Sequence, residues 1–210
     1  MPTRSVAHEV LEVAAAYTLV QAALWTSGKA QLLTGVAAMA WVVVATLWSH
    51  RSARQLGIDR VGPRDSWWLI AGAVSISGVM IAVAWKYGTL HVFTGTRTPP
   101  WHVLLYAIWA LLQQFLTQSF VFVRLESALN GCGRAVFWTA ALFSAAHLPN
   151  LFLVPTTFVA GLAFSAAFSR YRNIYPLAGA HAILGLGLAV SVPDAVTHYM
   201  RVGSAYLSTY

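Results

Sequence analysis

Apolar residues run in long blocks along this chain, separated by short clusters rich in arginine, glycine and proline. Reading the blocks against their polar boundaries predicts seven helical spans, near residues 10–26, 31–49, 67–85, 101–123, 135–148, 156–169 and 175–192. Residues 31–49 and 67–85 carry no charge, and about 19 helical residues cross a hydrocarbon core of about 30 Å. The first span is the weakest, because Glu12 sits inside it. The fifth and sixth are short, at roughly 21 Å each, and the segment joining them runs from Pro149 to Pro155. Two short spans and a re-entrant pair are both compatible with that pattern. Irregular backbone at membrane depth is stable only where protein buries it or where it lines a cavity, so a cavity is expected nearby. The predicted fold class is an all-α, polytopic membrane helix bundle of about seven transmembrane helices, with residues 1–210 as a single transmembrane domain.

Composition agrees with that pattern. Charged residues make up 9% of the chain and apolar ones 58%, whereas a water-soluble globule carries about 25% charged residues. The net charge of +7 does not point to nucleic acid, because the basic residues lie in connectors and form no basic face. Counting Lys and Arg by the parity of the connectors puts Arg4, Arg51, Arg54, Arg60, Arg64, Arg124, Arg134, Arg170 and Arg172 on one side. Lys29, Lys86, Arg97 and Arg201 fall on the other. The excess predicts an N-terminus inside and, with seven crossings, a C-terminus outside, in a bacterial inner membrane. Trp48, Trp67, Trp68 and Trp101 stand at span ends, as interfacial aromatics do. Glu9 and Glu12 before the apolar stretch, with no small-residue cleavage pattern after it, argue against a cleaved signal peptide. The single cysteine, Cys132, reads as a small residue in a glycine-rich turn. The segment 50–66 reads as an ordinary cytoplasmic loop, and the tail after Pro193, with Asp194, His198, Met200 and Arg201, as an amphipathic piece lying along the surface.

Polar side chains inside apolar spans are costly and therefore informative. The fourth span holds Gln113, Gln114, Thr117, Gln118 and Ser119; the fifth holds Ser144 and His147; the seventh holds His181. Gln114 and Gln118 are four apart and share a helical face, with Gln113 and Thr117 beside them, so this stripe is expected to look into the bundle. Counted from the flanking arginines, Gln118 lies roughly 9 Å deep, Gln114 roughly 15 Å, His147 roughly 20 Å and His181 roughly 14 Å. The polar groups of three spans thus fall in one slab and can meet. Interhelical hydrogen bonds of about 0.6–2 kcal/mol each are the structural alternative to a functional site.

The stretch Phe143-Ser-Ala-Ala-His147, followed by Leu-Pro-Asn150, and the later run from Asn173 to Gly185 containing His181, carry a resemblance. They are similar to the second and third motifs of the CPBP group, the CAAX proteases and bacteriocin-processing or Abi proteins. These are multi-helix glutamic intramembrane peptidases, and the similarity spans residues 105–192. The group's first motif, Glu-Glu-x-x-x-Arg, is where this chain departs. Arg124 on the motif arginine would put Ser119 and Phe120 on the two glutamates; Gln113, Gln114 and Gln118 on the motif positions suit the onward spacing to Phe143 better. The resemblance then implies a site made of His147, His181, Gln113, Gln114 and Gln118, with Gly185 where the group has Asn. In that group the first glutamate is thought to activate water. A glutamine amide keeps the reach of a carboxylate but cannot accept the proton.

Three readings stay open at this level. One is a hydrolase of a membrane-associated or prenylated polypeptide with His147 or His181 as base. The second is a pseudoprotease that binds a lipid, isoprenoid or membrane peptide, as a chaperone or immunity factor. The third is different chemistry on an isoprenoid substrate, since fold does not fix function. No cofactor is expected, and two histidines without a buried carboxylate or thiolate are too few ligands for zinc. The expected partners are the bilayer and a peptide or lipid ligand, not nucleic acid.

Overall fold

The structure is a computed structural model that describes residues 5–59, 66–91 and 101–208. Arg4, Arg60, Arg64 and Arg97 of the orientation count lie outside the described residues. All seven expected segments are helical: α1 (Val6–Trp25), α2 (Gly28–Trp48), α3 (Trp67–Tyr87), α4 (Trp101–Gln114) continuing into α5 (Val123–Leu129), α6 (Cys132–Ala145), α7 (Leu153–Tyr171) and α8 (Ile174–Ser191). Among the described residues five helices are long and apolar enough to cross a membrane: α2, α3, the continuous rod Trp101–Leu129, α7 and α8. The remaining two are α1, which carries Glu9 and Glu12, and α6, only 14 residues long. The sixth segment is longer than the sequence reading allowed, because α7 begins at Leu153 and keeps Pro155 in its first turn, where a missing N–H costs nothing.

Only 17% of the best apolar window of α2, and the same share of α3, is buried. Leu32, Leu33, Val36 and Leu47 on α2, and Val74, Val79 and Trp85 on α3, are exposed. An apolar surface of that extent belongs in lipid, and the chain is an integral membrane protein. α3 packs along α8, α4 on α8, α6 along α7, and α1 against α2 and α5. The α3–α8 approach is close because Gly187 has no side chain to meet Ser77, whose hydroxyl donates to the Ile183 carbonyl.

One end of the bundle gathers the arginines. Arg51 donates to Glu9 at 2.7 Å, Arg124 donates to Glu12 at 2.6 Å, and Arg172 pairs with Glu126. The loop after α2 is fastened to this end rather than free: the Leu56 carbonyl accepts from Ser119, and the Gly57 carbonyl accepts from the Ile174 amide. Glu126 stands two positions after Arg124 where an apolar run ends, so a solvated ion pair between the two would be ordinary. Instead Arg124 is fully buried, turned inward to Glu12, and Arg172 takes Glu126.

The tail departs from its expectation as well. After α8 it forms α9 (Asp194–Thr197), a single 3₁₀ turn and α10 (Gly203–Leu207). It does not lie along the surface. Thr197 and Gly203 are buried, the Gly203 amide donates to the Leu148 carbonyl, and Ser204 donates to the Thr26 carbonyl. Asn150, fully buried, does most of the tethering: its Nδ2 donates to the Thr197 and Arg201 carbonyls, while its Oδ1 accepts from the Phe152 and Leu153 amides. The short helices carry too little sequence periodicity to reveal that buried face.

Candidate functional site

α6 ends at Ala145, and His147 is the second residue of the turn that follows. Its Nδ1 lies 2.8 Å from the Phe143 carbonyl. A carbonyl only accepts, so Nδ1 carries the hydrogen and Nε2 is left with the lone pair in the neutral ring. On α8, His181 meets α4: the Gln114 amide nitrogen lies 3.1 Å from His181 Nδ1. Phe143 stands between the two imidazoles, its ring centre 4.9 Å from that of His147 and 5.9 Å from that of His181, edge to face in both cases. Phe164 of α7 stacks on the other side of His181 at 6.0 Å. Two aromatic rings thus hold His181 in one orientation.

Both histidines line one cavity of about 1220 Å³. Its wall includes Val20 and Leu24 of α1, Ala38 and Val42 of α2, Ile76 of α3, Tyr106 and Trp109 of α4, Ala160 of α7 and Leu184 of α8, and is predominantly apolar. Gln113 and Thr117 add polar groups near the middle. Residues from Asp194 to Val202 of the tail close part of it, so the segment expected to lie on the surface is instead wall.

The glutamines divide into three situations. Gln113 is half-buried and lines the cavity; Gln114 is buried and bonded to His181; Gln118 is fully buried, does not line the cavity, and its amide has no hydrogen-bond partner among the described residues. The sequence reading put Gln114 and Gln118 on one face, as an α-helix would. Both of that pair are buried and neither lines the cavity, which takes Gln113 and Thr117 from the neighbouring positions; residues Phe115–Phe122 form a π-helix, with more residues per turn. π-Helical insertions of this kind concentrate at functional sites.

Two features escaped the sequence reading. The buried pair Glu12–Arg124 joins α1 to α5, with Arg124 also donating to the Phe120 and Ala45 carbonyls and its guanidinium 3.6 Å from the Phe120 ring centre. Glu9 and Glu12, three apart on an apolar helix, were the available signal for an inward acidic stripe. Tyr106 carried no signal of its own. Among the described residues no group of three or more His, Cys, Asp or Glu gathers that could hold a metal ion.

Residues 95–186 match the family described as type II CAAX prenyl endopeptidase Rce1-like, a similarity that covers less than half of the chain. The matched segment holds Gln113, Gln114, Gln118, His147 and His181. No curated protein and no solved structure matches the chain.

Proposed function

We propose, from the Rce1-like character of residues 95–186 and the shape of the cavity they help to form, that this membrane protein holds the lipid-modified end of a polypeptide, or a free isoprenoid lipid, without cleaving it. The carrying observation is the mismatch between cavity and chemistry. A space of about 1220 Å³ with apolar walls and a histidine–glutamine patch suits a prenyl or acyl chain with a polar end. Beside that patch stand Gln113 and Gln114, which do not titrate. The cavity's carboxylate, Asp194, lies beyond the end of α8, and the ten helical residues from His181 to Ser191 alone put about 15 Å between them. Hydrolysis in this arrangement lacks a carboxylate base at the reacting end.

Residues 1–210 are read here as one transmembrane unit around a CAAX-protease-like core at 105–192. The arginine excess supports an N-terminus on the cytoplasmic side, in what we take to be a bacterial inner membrane. The test uses the full chain in lipid nanodiscs with an S-farnesylated peptide ending in a CAAX-type sequence. The expected result is saturable binding with the peptide recovered intact.

A second reading has one observation in its favour. His147 gives its Nδ1 hydrogen to Phe143, which leaves Nε2 as an acceptor able to take a proton from water. Cleavage by the wild-type protein that disappears in His147→Ala would establish that reading and overturn the non-hydrolytic one.

A further inference from the structure

α8 carries His181 and, one turn further on, Gly185, which lie on the same face of the helix. With no side chain at 185, α4 fills the gap. The hydroxyl oxygen of Tyr106 lies 1.9 Å from the point a Cβ at 185 would occupy, with Cζ at 2.9 Å and Cε1 at 3.1 Å. Any other residue at 185 would have to push the phenol away. Tyr106, Gly185 and His181 all line the same cavity. Among the described residues the Tyr106 hydroxyl makes no hydrogen bond, so its O–H is available to whatever enters.

We infer that Tyr106 is a ligand-positioning residue, whose hydroxyl donates a hydrogen bond to a carbonyl oxygen at the polar end of the cavity's occupant, one helical turn from His181. The inference rests on the reading above that the cavity holds a chain with a polar end. A phenol suits this task because its ring is at home in an apolar wall while its tip is a donor. The tip is also held by geometry, since the missing Cβ at 185 leaves a slot that the hydroxyl fills. If Tyr106 served only as filler, phenylalanine would fill the same volume without an unpaired polar group in apolar surroundings, which is costly.

Two probes test this on the full chain in nanodiscs: N-acetyl-S-farnesylcysteine methyl ester, which carries carbonyls, and farnesyl ethyl sulfide, which has none. Tyr106→Phe is expected to weaken the ester about three- to tenfold, the value of one neutral hydrogen bond, and to leave the sulfide unchanged. Gly185→Ala should act in the same way, because its methyl displaces the phenol while every other wall residue stays. Equal affinity of wild type and Tyr106→Phe for the ester, or equal weakening of both probes, overturns the role of the hydroxyl while the cavity still binds farnesyl chains. Failure of the wild-type protein to bind either probe overturns the cavity reading, and this inference with it.

Discussion

Gln114 and His181 meet across the α4–α8 interface at 3.1 Å, amide nitrogen to Nδ1. An amide N–H only donates, so Nδ1 is the bare nitrogen and the hydrogen of the neutral ring sits on Nε2. At a position where the resemblance to CPBP peptidases implies a carboxylate, this chain presents an amide to the His181 ring.

Exchanging Gln114 for Glu reverses that relationship. A carboxylate only accepts, so His181 must place a hydrogen on Nδ1 to keep the contact. In protein labelled with ¹⁵N at histidine, the Nδ1 resonance of His181 is expected to move from the bare-nitrogen range to the protonated range in Gln114→Glu. A wild-type spectrum that already shows a protonated Nδ1 would mean that the amide presents its oxygen to the ring.

The pair Glu12–Arg124 makes a separate prediction about stability. Both side chains are buried, and each neutralises the other. Arg124→Met takes the buried guanidinium away from Glu12, leaving the more exposed His8 imidazole beside it at 2.9 Å, and should cost about 3 kcal/mol, as breaking a buried pair does. Replacing both residues by Met removes the buried charges together, so the double variant should lose about 1–3 kcal/mol less than the sum of the singles. Denaturation of the four proteins in one detergent, scored as a double-mutant cycle, reads the coupling. A coupling near zero would mean that water reaches the pair.

The sequence revealed the helices well because a bilayer leaves few choices: uninterrupted apolar runs must be helical there, and α2, α3 and α8 follow their runs closely. It also singled out the residues that gather at the cavity, because His147, His181 and Gln113 are polar groups in apolar runs. What it could not give was rotation and reach. Gln114 and Gln118 share the polar stripe with Gln113 and Thr117 in the sequence, yet only Gln113 and Thr117 line the cavity, and the stretch Phe115–Phe122 is a π-helix that a spacing rule for α-helices does not describe. Arg124 read as a topology marker because it ends an apolar run, yet its long side chain folds back into the bundle toward Glu12, 112 positions earlier in the chain. The Tyr106–Gly185 fit depends on the separation of α4 and α8, which no local pattern encodes.

Asn150 links two elements with one side chain, and two substitutions should separate its duties. Asn150→Asp keeps an oxygen for the Phe152 and Leu153 amides but loses the Nδ2 donors to Thr197 and Arg201. It should free the tail while α7 keeps its start. Asn150→Ala loses both sets and should cost about 2–6 kcal/mol, at about 0.5–1.5 kcal/mol for each of the four hydrogen bonds. Limited proteolysis after residue 197 reads the first effect, and thermal unfolding in detergent reads the second. Equal protection of the tail in Asn150→Asp and wild type would show that the Gly203–Leu148 and Ser204–Thr26 bonds suffice without it.

Orientation can be tested with the cysteine the chain already has. Cys132 is exposed and is the first residue of α6, close in sequence to Arg134 and to the Arg124–Glu12 end of the bundle. The positive-inside reading puts that end in the cytoplasm. A membrane-impermeant maleimide should therefore leave Cys132 unlabelled in intact spheroplasts and label it in inverted vesicles. Since this is the chain's single cysteine, Cys132→Ser supplies the background. A cysteine introduced for Thr89, at the opposite end beyond α3, should show the reverse pattern. Labelling of Cys132 from outside would invert the bundle and place the tail that closes the cavity, with Arg201, on the cytoplasmic side.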